Sequence, residues 1–309
     1  MRKSSWQLIN SFLPYMMLVT AMYFSLTISY WLTLILAIPA AGFMVRIFII
    51  FHDCGHGSFF ASRRINTLIG FVAGLITFAP YYHWNHKHAV HHATSGDLDR
   101  RGMGDVWTLT VREYQELSKK DRFVYQFFRN PLVMLLLGPP YMFLISNRFV
   151  TGKATARDRY YVYATNLALA GMIIIAGLTI GVKAYLLIQL PIIMIGGGAG
   201  IWLFYVQHQF EDVYWARQEH WDYQQAAVQG SSFYKLPKVL QWFSGNIGFH
   251  HVHHFSARIP NYNLELCHNE LPAFRNVKPL TLSASLKCIK YRLWDEENNR
   301  LVGYKDLRG

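Results

Sequence analysis

The residues best equipped for chemistry are histidines at fixed spacing. His250-His251-Val252-His253-His254 puts four imidazoles into five residues, and His88-Ala89-Val90-His91-His92 repeats the pattern. His52-Asp53-Cys54-Gly55-His56 is a shorter version, spaced i, i+4. These three windows hold nine of the chain's 14 histidines. Residues at i, i+3 and i+4 share one helix face, and imidazole is the commonest protein ligand for zinc, iron, copper and nickel. A histidine that caps a helix or sits in a core is ordinary, but that reading suits one histidine at a time. The windows offer His52, His56, His88, His91, His92, His250, His253 and His254 as ligands. That is too many for one ion and suits two. His208 is a ninth candidate, at the end of a long apolar run where it would meet the others. A structural zinc site takes four ligands and usually uses cysteine. Cys54, Cys267 and Cys288 form no CxxC pair, and their odd number implies no disulfide framework.

A metal-bound histidine normally donates its other N–H to a carboxylate or carbonyl. Asp53, Asp97, Asp99, Glu211 and Asp212 lie next to the histidine segments and are candidates for that supporting role. The plain alternative for them is a solvated, salt-paired loop. His83 and His86 precede the second window and read as solvated or supporting. His251 lies off the shared face. His220 and His268 are isolated and carry no assignment.

The scaffold must be a membrane one. The chain is 52% hydrophobic and 16% charged, against about 25% charged in soluble domains, and its apolar residues fall in long runs. Net charge is +12 and the pI is about 9.6. In this context the excess reads as basic loops beside anionic lipid rather than as nucleic-acid binding. Segments long enough to cross a bilayer lie at about 12–30, 32–51, 161–180 and 184–206. The apolar stretch after Met1 is too long for a signal peptide and lacks a cleavage site. Weaker stretches lie at about 65–80, and at about 131–147, where Pro139-Pro140 is expected to break a helix. If the histidine windows share one site, they share one side of the membrane. Residues 65–80 then cannot cross once and must be re-entrant or interfacial. An even number of crossings must separate the second window from the third, so 131–147 is the one to drop. The expectation is an all-α, single-domain integral membrane protein over residues 1–309. It has four transmembrane helices and a cap from about 52–130 and 207–309 that holds a di-metal site. Arg2, Lys3, Arg63, Arg64, Arg100, Arg101, Lys119, Lys120 and Arg122 fall on the histidine side, whereas the opposite turns carry one lysine. The positive-inside rule then makes the site and both termini cytoplasmic. Arg46, near the end of the second span, is expected to snorkel to the headgroups. Gly196-Gly197-Gly198-Ala199-Gly200 reads as a stripe for close helix packing, with room for a lipid chain as the alternative.

The histidine windows and their flanks (His52-Asp53-Cys54-Gly55-His56-Gly57-Ser58-Phe59, His91 to Arg100, His254 to Tyr262) closely resemble the membrane fatty acid desaturases, in particular the acyl-lipid desaturases of bacteria and plants. The resemblance runs from about residue 40 to 270. It implies four spans and a non-haem di-iron centre under a cytosolic cap, in a bacterial inner membrane. One iron would take His52, His56, His88, His92 and His253, and the other His91, His208, His250 and His254. Relatives complete one iron with a water held by an asparagine. Phe204, one turn before His208, cannot do this; Asn246, one turn before His250, is a candidate for the role. The implied reaction uses O2 and two electrons to put a double bond into a fatty acyl chain. No His-Pro-Gly-Gly phrase of a cytochrome b5 occurs, so the electrons are expected from ferredoxin or a similar carrier. A related di-iron hydroxylase or ketolase acting on a carotenoid or alkane is the second reading. A metal transporter, which would place ligands near mid-membrane, is the third.

Overall fold

Mean hydropathy and helix length together dictate the frame. The computed structural model describes residues 2–152 and 154–308; Met1 and Gly309, whose side of the membrane was inferred above, lie outside them. Four helices are long and apolar enough to cross a membrane: α1 (Arg2–Ser25), α2 (Tyr30–Gly55), and two later helices, Ala156–Thr179 and Val182–His208. Their 24 to 27 residues reach about 36–40 Å at 1.5 Å per residue, more than a hydrocarbon core needs. α2 is the central one: more than half of its apolar stretch is buried. The other three turn large apolar side chains outward, among them Leu13, Leu167, Leu178 and Leu186. Such a belt is unfavourable in water and favourable in lipid.

Between the two pairs, the chain forms α3 (Arg63–Ile76) and α4 (Tyr81–Thr94), which meet at a bend of 100°. The corner is built, not frayed. Ser62 caps α3 by accepting from the Ile65 N–H. Phe78 takes a left-handed φ of 56°, and its carbonyl accepts from Asn147 and Arg148. Tyr81 then lies over Gly70, where a Cβ would overlap its ring, and donates from its hydroxyl to the Cys54 carbonyl at 2.6 Å. No single straight helix runs through residues 65–80; the bent pair has the form of a broken span or of a re-entrant loop.

Short α5 (Val111–Glu116) and α6 (Lys119–Phe128) lead to α7 (Val133–Arg148). Here the structure departs from the expectation of a break at Pro139-Pro140. The run stays helical, but five-residue π turns flank a single α turn at the prolines. The wider winding suits residues that lack an N–H and crowd the preceding turn. Gly197 makes room for this, since a Cβ there would meet Pro139 and Phe143. The stripe of small residues therefore serves close packing at that position.

The remaining helices are α8 (Ala156–Thr179), α9 (Val182–His208), α10 (Tyr223–Gln229), α11 (Lys238–Phe243), α12 (His250–Phe255), α13 (Asn261–Glu270) and α14 (Leu282–Ser285). Five short strands, which a purely helical reading does not anticipate, brace this part: β1 (Leu109–Thr110), β2 (Phe233–Lys235), β3 (Pro279–Thr281), β4 (Leu293–Asp295) and β5 (Arg300–Val302). β2 and β3 pair in parallel, and β4 pairs parallel to β1 and antiparallel to β5.

Arg46 corrects a second expectation. It does not snorkel: it is buried, stacks on Trp242 at 3.9 Å, and donates to Ser11 Oγ at 3.1 Å and to the Trp242 carbonyl. One cation thereby joins α1, α2 and α11. Replacing Arg46 with Ala removes the stack and the hydrogen bonds to Ser11 and to the Trp242 carbonyl, which keeps its bond from the Gly245 N–H, a loss of about 2–4 kcal/mol. Thermal unfolding in detergent should register this as a lower midpoint, only partly restored by Arg46→Lys, which lacks the fork that reaches both acceptors.

Candidate metal centre

Four separate elements deliver the histidines. His52 ends α2 and His56 is its C-cap; His88, His91 and His92 share one face of α4; His208 is the last residue of α9; His250, His253 and His254 lie on α12. α12 is too short to be stable alone, and its surroundings place it. Gly245 and Asn246 both adopt positive φ (54° and 60°), and a Cβ on Gly245 would meet Ile49. Gln207, next to His208, donates to the Ile247 carbonyl at 2.9 Å, and Tyr223 donates to the carbonyl of His254.

The side chains converge into two groups. His52, His56, His88, His92 and His253 form one; His91, His208, His250 and His254 form the other. Within each group the candidate ligand atoms all lie within 4.8 Å of one another. The members are the same as in the two sets implied by the resemblance.

Hydrogen-bond accounting shows what the groups can do. His52 Nδ1 faces Asp53 Oδ1 at 3.0 Å, and His91 Nδ1 faces Asp105 Oδ1 at 2.5 Å. A carboxylate accepts only, so both rings carry a proton on Nδ1 and turn Nε2 inward. The Nε2 atoms of His52, His56 and His254 are buried without a partner. The others face each other: His88 to His92 at 3.1 Å, His92 to His253 at 3.0 Å, His91 to His208 at 3.2 Å, His208 to His250 at 3.0 Å. Burial first, and neighbouring imidazoles second, push His56, His88, His92, His250, His253 and His254 well below the ordinary histidine range. These six are therefore neutral near pH 7, the form that binds metal. Two nitrogens at right angles, each about 2.1 Å from a common ion, lie about 3.0 Å apart. The residues present fit two metal ions, one in each group.

The supporting residues sort differently from their sequence positions. Asp53 reaches a histidine, and its other oxygen accepts from the backbone and side-chain amides of Asn261 (2.7 and 2.8 Å), whose Oδ1 accepts from Gln7 on α1. Asp97 is buried but occupied by the Asp99 and Arg100 amides and the Arg100 guanidinium. Asp99 pairs with Arg217, Asp212 with Lys278 on the surface, and Glu211 is exposed. Asn246 donates to the Asn261 carbonyl, not into the site. Phe204 lies against His91 and His208. His251 pairs with His268 at 3.0 Å outside both groups, and burial takes it down to about 3. His83 is buried, and His86 meets Asp158. Asp105 is the residue that sequence reasoning missed. It sits in an irregular loop 14 residues after its partner, and no spacing rule points there.

Nine histidines gathered at the ends of long apolar helices form two groups able to hold metal ions, and the comparisons supply the family. Residues 29–281 match the fatty acid desaturase family. The chain is 50% identical over 307 residues to a fatty acid desaturase of Bacillus subtilis, covering 99% of this chain and 87% of that one. It is 27% identical to an sn-1 acyl-lipid omega-3 desaturase (ferredoxin) of a Nostoc species and 26% identical to an sn-1 oleoyl-lipid 12-desaturase of a Synechocystis species. Those matches cover 76% and 72% of this chain and 64% of each relative. The chain belongs to the fatty acid desaturase family.

Asp105→Asn exchanges a carboxylate that fixes the His91 tautomer for an amide that can present its donor instead. Metal retained at the His91 group after purification should fall, with affinity lower by about 10–100-fold. Asp99→Asn should retain the wild-type metal content. Equal losses from both variants, measured by elemental analysis, would contradict this division of roles.

Proposed function

We propose that the chain is an acyl-lipid desaturase that inserts a double bond into a fatty acyl chain at two iron ions. The observation that carries this reading is the pair of all-imidazole groups on a desaturase-family chain. The cyanobacterial relatives' names add an acyl-lipid substrate and, in one case, ferredoxin. Irons held in the two groups would supply, with O2, the power to oxidise an unactivated C–H bond. The balanced change removes one hydrogen from each of two adjacent methylenes; with O2, two electrons and two protons the products are a double bond and two waters.

The chain's own residues do the rest. Asp53 and Asp105 keep two ligand rings in one tautomer, so their lone pairs stay aimed inward. His52, His56, His88, His92 and His253 would hold one ion, and His91, His208, His250 and His254 the other. Phe204 keeps an aromatic face, not water, against His91 and His208. The protein supplies position and a dry environment, and these decide which carbons react. The four long helices would lie in the bacterial inner membrane, with the histidine ends, the segments 52–130 and 207–309 and both termini on the cytoplasmic side, as one domain. Electrons would come from a carrier such as ferredoxin, which the basic histidine-side surface suits.

The test is the fatty acid profile of a bacterial host expressing the chain together with ferredoxin and its reductase. New unsaturated chains are expected, lost in His92→Ala and retained in His220→Ala, whose ring is exposed. Hydroxylated or keto products instead would move the assignment to the oxygenase reading. An unchanged profile from iron-loaded protein would refute acyl desaturation.

A further inference from the structure

A cavity of about 890 Å³ opens where the histidine-side ends of α2, α3, α4 and α8 meet. Cys54, Gly55 and His56 line it together with the exposed Arg63, Arg64 and Arg157. No Asp or Glu is among its lining residues. Among the described residues, no acidic group lies within ion-pair distance of these three guanidinium groups. Arg157 lies over the Tyr82 ring at 3.6 Å and donates to its hydroxyl. Asp158, its neighbour in sequence, turns its carboxylate to Thr155 and His86.

The placement is electrostatically unfavourable as it stands. Arg63 and Arg64 occupy the first turn of α3, and Arg157 that of α8. Helix N-terminal turns carry partial positive charge and disfavour cations. Three like charges at two such ends gain most from an anion between them. Guanidinium groups recognise phosphate by paired, charge-assisted hydrogen bonds. Asn66, Thr67 and Asn85 add neutral polar groups to the lining, and Leu68, Phe71 and Ala164 give it an apolar stretch along α3 and α8. Leu68 and Tyr160 stand exposed on the outward surface of these helices. A ligand matched to this surface joins a phosphate to acyl chain, and the apolar side faces where lipid would be.

We infer that this cavity binds the phosphate of an anionic membrane glycerophospholipid, with Arg63, Arg64 and Arg157 holding the headgroup beside His56. The inference rests on the proposed desaturase reading for its meaning as substrate recognition; the binding itself does not require turnover. A headgroup fixed here tethers its acyl chain at a constant distance from the first histidine group. The cavity thus sets which acyl carrier is accepted.

Native mass spectrometry of the metal-loaded protein in detergent tests this with three probes: phosphatidylglycerol, a diglucosyl-diacylglycerol with the same chains, and palmitoyl-CoA. Phosphatidylglycerol should be retained at least about tenfold better than the uncharged lipid, the gain expected from charge-assisted phosphate contacts. R63Q/R64Q/R157Q should lose that preference while keeping its metal content and melting temperature. If the triple variant fails to fold, R64Q alone should lose part of it. Equal retention of charged and uncharged lipid by the wild type overturns the inference, as does an unchanged preference in the folded variant. Displacement of phosphatidylglycerol by palmitoyl-CoA reassigns the cavity to a soluble carrier. Displacement by millimolar inorganic phosphate reduces it to a bare anion site. A lipid preference without any new double bond in the host would leave the binding standing and remove only the reaction.

Discussion

Nine imidazoles cannot be crowded together for their own sake. Each Nε2 lone pair in the two groups either has no partner or faces another nitrogen about 3 Å away. Buried polar atoms left in that state cost free energy, and a cation between them turns the cost into bonding. Everything else in the molecule can be understood as holding these lone pairs in place. Asp53, Asp105, Gln207 and Tyr223 tie two long-helix ends, the bent α3–α4 pair and a six-residue helix to one another.

The chain Gln7–Asn261–Asp53–His52 shows how far that support extends. Every member is buried, and the links join the first helix, the last well-formed helix beyond the third histidine window, and a candidate ligand. Asn261 presents two donors to a single carboxylate oxygen. Hydrogen bonds to a charged carboxylate are among the stronger ones available. The apolar bundle and the polar cap are therefore coupled through this line and through Arg46, not merely stacked.

Much of the site was legible because metal chemistry demands particular residue types at particular spacings. His88, His91 and His92 announce a shared helix face whatever surrounds them. The long spans were legible for a similar reason: lipid imposes a length and a composition. What escaped was whatever depends on contacts between distant segments. Asp105 is an ordinary acid in an irregular loop until the fold brings it to His91. Arg46 reads as a lysine-like anchor until Trp242, 196 residues away, supplies a ring and a carbonyl. Asp97 and Asp99 flank the right window but spend their charge on loop amides and on Arg100 and Arg217. The two prolines of α7 read as a break because periodicity rules do not include a helix that widens around them.

The distribution of the ligands along the chain has a consequence for biosynthesis. One group needs His253 and the other needs His250 and His254, although the remaining members emerge from the ribosome much earlier. Neither group is complete until roughly four-fifths of the polypeptide, including all four long apolar helices, has been made. Any metal loading must then come late, and a truncated or stalled chain, however well its long helices are formed, presents a set of loose histidines in place of two complete groups.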